Sequence, residues 1–214
     1  MNRPDFSNYV AHFTSNRRPT AKGRANPILE KIMNKDGHKY MLAKNRLINI
    51  LAERKITAST IVRLKVSAVC FTECPWTSLV DHTNRYSPYG IGFNKKFLFA
   101  AGGSPALYVR PDYFKTVKDW GANQFLVTPF WPSYTTEKQK EETKYQLCDY
   151  SQEREWRVPG DLSFSYKDIA FIVIKDYADI ADFPKEYVNA IGHDKFIIMN
   201  NYRKIEDLWP VHKY

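Results

Sequence analysis

Apolar positions recur along this chain with two periods, and the alternation between them lays out its elements. Residues 8–14 read as a short strand. Asn26 and Pro27 form a cap and a first helical residue, with Ile28, Leu29, Ile32 and Met33 following at helical spacing until Gly37. Leu47, Ile48, Ile50 and Leu51 place a second helix over 43–54. Residues 62–71 alternate as a strand does. The pattern then predicts a short helix over 75–84, a glycine-containing strand over 89–93 and a further strand over 105–109. Residues 113–120 read as a helix, 124–131 as an extended aromatic stretch, and 135–147 as a polar helix opened by a threonine cap. Strands are expected at 154–159 and 169–174, a helix over 179–191 closed by Gly192, and a last strand over 195–199.

Short strands interleaved with helices point to an α+β fold with a split or mixed, largely antiparallel sheet, built as one domain over residues 1–214. No G-x-G-x-x-G follows a strand and no P-loop is present, so Rossmann and kinase readings have no support. Hydrophobic content of 43%, with 15% aromatics, is ample for a core. Charge changes the picture more. Lys and Arg number 32 against 23 Asp and Glu, giving +9 and a pI near 9.3. That balance suits polyanionic partners: a nucleic acid, a dinucleotide or an acidic protein.

No apolar leader or run of membrane-spanning length is visible, and three cysteines argue against a disulfide framework. The expectation is a cytoplasmic protein without membrane contact. Cys70 and Cys74 with His82 raise the question of zinc. The C-x-x-x-C spacing is unusual and lacks a fourth ligand, so no metal is expected, and Cys70 reads as a buried strand residue.

Two constellations carry candidate chemistry. In Glu153-Arg154-Glu155-Trp156-Arg157-Val158, two carboxylates two residues apart on a strand would share one face. Their repulsion is unfavourable unless a cation, an arginine or a polar ligand intervenes. The plainer reading is an exposed edge strand solvated by its own charges. The second runs from Cys70-Phe-Thr-Glu-Cys74 through His82 and Arg85-Tyr-Ser-Pro-Tyr-Gly-Ile-Gly-Phe93 to Gly102-Gly-Ser-Pro-Ala-Leu-Tyr-Val109. Its paired glycines allow close backbone approach and its tyrosines could stack on a planar ring. Equally, the glycines are bulges and the tyrosines core.

In this order the motifs resemble AbiGi-type abortive phage-resistance proteins, over roughly residues 60–175. That family is named for phage defence and carries an antitoxin label. More distantly, His12-Phe13-Thr14 resembles the opening strand motif of DarT-like ADP-ribosyltransferases, and 47–56 resembles the helix and turn that follow it. Residues 69–72 and 104–109 stand where that family has its nucleotide-cradling strands, and Glu155 stands where it has its catalytic glutamate.

The DarT-like resemblance implies an ADP-ribosyltransferase-like split sheet with flanking helices, and NAD as substrate. Breaking the bond between ribose and nicotinamide passes through an oxocarbenium-like state, which Glu155 would stabilise while Glu153 orients or deprotonates the acceptor. His12 and Thr14 would hold the ribose or the nicotinamide amide, Arg63 or Arg85 the pyrophosphate, and Tyr89 or Tyr108 the nicotinamide ring. The expected acceptor is a base in RNA or single-stranded DNA, with protein as second choice. Arg17, Arg18, Lys22 and Arg24 would meet its phosphates, and Trp131 would stack on it. A neutralising antitoxin is the expected protein partner of such a toxin. The other reading is a non-catalytic defence component of antitoxin type that binds a nucleic acid or a partner protein.

Overall fold

A computed structural model describes residues 7–15, 41–61, 65–73, 76–117, 119–132, 134, 136–137 and 149–208. In chain order these form β1 (Tyr9–Phe13), α1 (Met41–Glu53), β2 (Lys55–Ile56), β3 (Ser59–Ile61), β4 (Val66–Thr72), α2 (Trp76–Arg85), β5 (Gly90–Asn94) and α3 (Lys95–Ala100). Then come β6 (Ser104–Pro105), β7 (Leu107–Val109), α4 (Pro111–Thr116), β8 (Val127–Pro129), β9 (Glu155–Pro159) and β10 (Leu162–Ser163). The remainder is β11 (Ile169–Ile174), α5 (Lys185–Ile191), β12 (Phe196–Ile198) and α6 (Met199–Leu208). Helices accompany strands whose pairing is mixed and mostly antiparallel, an α+β arrangement.

Several expected elements shift for identifiable reasons. The strand expected over 105–109 divides at Ala106, whose N–H donates to the Glu155 carbonyl at 2.8 Å, so β6 pairs with β9 and β7 with β8. The extended stretch expected over 124–131 opens instead with a 3-10 turn, Gly121–Leu126, before β8. The helix expected over 179–191 is two pieces, a 3-10 turn at Tyr177–Asp182 and then α5. Pro184 lacks a donor and forces Phe183 into extended backbone, at φ −87° and ψ 139°. Gly192 closes α5 as expected, at φ 104°. The basic loop over 16–24, the first expected helix and most of 135–147 lie outside the described residues.

The chain forms two compact units. The first comprises Met1–Val10, Ile56–Cys74 and Lys95–Leu162. Its sheet runs β3-β4-β9-β6, antiparallel throughout. The β4–β9 register alternates two kinds of pair. Val69 faces Val158 and Phe71 faces Trp156, all buried apolar groups. Cys70 faces Arg157 and Thr72 faces Glu155, which puts polar and ionisable groups on the opposite face.

The second unit comprises Ala11–Lys55, Pro75–Asn94 and Ser163–Tyr214. Its strands run β12-β11-β5-β1, with β11 parallel to β12 and antiparallel to β5. Ile91, Phe93, Ile172, Val173 and Ile174 fill its interior with Leu47 and Leu51 of α1. Gly92 sits opposite Phe171 across a register shift, and a Cβ there would lie 2.3 Å from the Phe171 ring. The glycine pair of this strand is thus set by aromatic rings of the same unit, since a Cβ at Gly90 would meet Phe13 at 2.9 Å.

Candidate functional site

The chemistry-bearing side chains of the first unit gather on the polar face of β9. Glu155 and Arg157 are two apart on an extended strand and therefore point the same way. The guanidinium grips the carboxylate in a fork: Nε donates to Oε1 at 2.9 Å and Nη2 to Oε2 at 2.8 Å. Its remaining arm, Nη1, donates to the carbonyls of Phe125 and Val127, both at 3.0 Å. Arg157 is buried to 5% exposure, whereas the Glu155 side chain keeps 16%. Burial works against the charge on Arg157, but the Glu155 hydrogen bonds and charge outweigh it and hold the guanidinium above its ordinary range.

Two further groups share this environment. Burial, followed by the Glu155 carboxylate, pushes the Cys70 thiol up to about 12, with Arg157 opposing. Burial likewise pushes the Tyr108 hydroxyl up to about 12, with the Glu155 and Glu153 carboxylates contributing in the same direction. Both are therefore neutral at physiological pH. A Cys70 in this state is a poor nucleophile.

Glu153 does not share a strand face with Glu155, contrary to the expectation from their spacing. It closes a 3-10 turn, Ser151–Glu153, and Arg154 follows in left-handed backbone at φ 45° and ψ 55°, so the side-chain alternation of a strand begins only at Glu155. The end of β4 pins this turn. Thr72 Oγ1 donates to the Glu153 carbonyl at 2.5 Å, and the Glu73 N–H reaches the same oxygen at 3.1 Å. The buried Glu73 carboxylate meets Lys95 Nζ at 2.6 Å, Arg154 at 3.7 Å and the Ser7 N–H at 3.3 Å. Lys95 also lies over the Trp156 ring, 5.3 Å from its centroid. Sequence reasoning singled out neither Glu73 nor Lys95. Periodicity carries no sign of a pair formed between a strand end and a helix start; the spacing read from the sequence was that of Glu153 and Glu155, and the partner of Glu155 is Arg157 instead.

Other expected site residues fall elsewhere. Tyr108 belongs to the first unit, and its hydroxyl donates to the Tyr150 carbonyl at 3.0 Å. Trp131, half-buried, follows Phe130 beyond β8. His12, Thr14, Arg85 and Tyr89 belong to the second unit. There Thr14 is buried and its hydroxyl donates to the Ala43 carbonyl at 2.8 Å, while Ser87 donates to the Thr14 carbonyl at 2.7 Å. The buried Tyr89 donates through its hydroxyl to Asp179 at 2.9 Å, and Asp179 also pairs with Lys44 at 3.2 Å. Half-buried His12 lies on β1, and Arg85 is the last residue of α2. Arg17, Arg18, Lys22, Arg24 and Arg63 lie outside the described residues. Among the described residues, no three His, Cys, Asp or Glu side chains are grouped so as to hold a metal ion, and no helix is long and apolar enough to cross a membrane.

Neither a curated protein nor a solved structure matches the chain. The model of one family does, over residues 30–120, a span that ends before β9 and so leaves Glu155 outside it. Over those residues the chain is similar to the family described as "Putative abortive phage resistance protein AbiGi, antitoxin".

Proposed function

We propose that this chain is an abortive-infection component of antitoxin type, which acts by binding a partner toxin and not by chemistry of its own. The observation that carries this reading is the Glu155–Arg157 fork. Both carboxylate oxygens are engaged by one guanidinium, and that guanidinium is itself held by two backbone carbonyls. The carboxylate holds the guanidinium that ties β9 to the 125–127 segment, which is a structural task. The off-strand position of Glu153 removes the paired-carboxylate geometry that a transferase reading would use. The similarity to the AbiGi family, with its antitoxin description, supports the same reading.

A second reading remains in view because one observation favours it. The Glu155 side chain keeps partial exposure beside the Tyr108 hydroxyl, and a carboxylate has lone pairs beyond those that face a forked arginine. On that reading Glu155 would stabilise the oxocarbenium of NAD during ADP-ribosyl transfer to a nucleic-acid base. One assay separates the two. Purified protein and Glu155→Gln are incubated with labelled NAD and pools of RNA, single-stranded DNA and cell protein. The binding reading expects no label in any pool with either protein. Label that appears with the parent chain and vanishes with the variant establishes the transferase and names its acceptor.

A further inference from the structure

We draw no further inference here: the strongest candidate, the side-chain cluster of Lys44, Tyr89, Asp179 and Asp182 at the 3-10 turn Tyr177–Asp182 of the second unit, has its groups engaged with one another, and nothing in the structure shows a ligand or partner that it would hold.

Discussion

The two residues of the Glu155–Arg157 fork are not equivalent, and substitution should expose the difference. Arg157→Ala strips the donors from two carbonyls and leaves a partly buried carboxylate alone, which should cost about 3–5 kcal/mol of stability in urea unfolding. Glu155→Gln keeps the shape and one acceptor but leaves the buried guanidinium without its counter-charge, and should cost about 2–3 kcal/mol. Equal losses would contradict the structural role given to Arg157. Cys70 supplies a pH signature at the same place. Its folded value near 12 lies above the ordinary 9.0, so the native state holds its proton more tightly than the unfolded chain does. Its contribution to stability is complete below pH 9 and is lost as pH rises from there towards 12. In Cys70→Ala, the decline in melting temperature over that range should be shallower. Iodoacetamide should also modify Cys70 of the folded chain at pH 8 far more slowly than in denaturant. Glu155 was legible as one member of an i, i+2 pair, but the sequence offered Glu153 as the other where the fold supplies Arg157. Cys70 could be read as a strand residue, but it is half-buried where full burial was expected, and its place opposite Arg157 is a matter of register between β4 and β9, which no local pattern specifies.

At the scale of elements, glycine and proline decide where the strands and helices lie. Gly92→Ala places a methyl within 2.3 Å of the Phe171 ring and should destabilise the protein by about 1–3 kcal/mol. The same change in a Phe171→Leu background should cost less, and strict additivity in that double-mutant cycle would remove the ring as the cause. Long apolar runs such as Ile169–Ile174 announced themselves, as did the strand around Val69 and Phe71. The paired glycines were legible as a close approach, yet the sequence offered a ligand or a bulge as the reason. The rings responsible, Phe13 and Phe171, stand far away along the chain. Helix α6 escaped notice because its apolar positions continue directly from β12, without a proline or glycine to mark the change of period. The turn at Arg154, which displaces Glu153, escaped for a related reason. Left-handed backbone at an arginine has no sequence signature.

For the whole molecule, charge is unevenly spread. Between residues 11 and 55 stand eleven Lys and Arg against three Asp and Glu, nearly the entire excess of the chain. Replacing Arg17, Arg18, Lys22 and Arg24 with Gln should therefore lower the salt slope of association with oligothymidylate by about 3. An unchanged slope would take that segment out of any polyanion contact. The basic composition was readable at once, but the turn at Tyr150 was not, because the Tyr108 hydroxyl that holds its carbonyl stands far away along the chain. The central claim is that Glu155 has structural work and the chain binds no NAD. Calorimetric titration of NAD into the purified protein, with Glu155→Gln beside it, tests that claim most directly. We expect no saturable heat from either protein; saturable NAD binding by the parent chain would contradict the account.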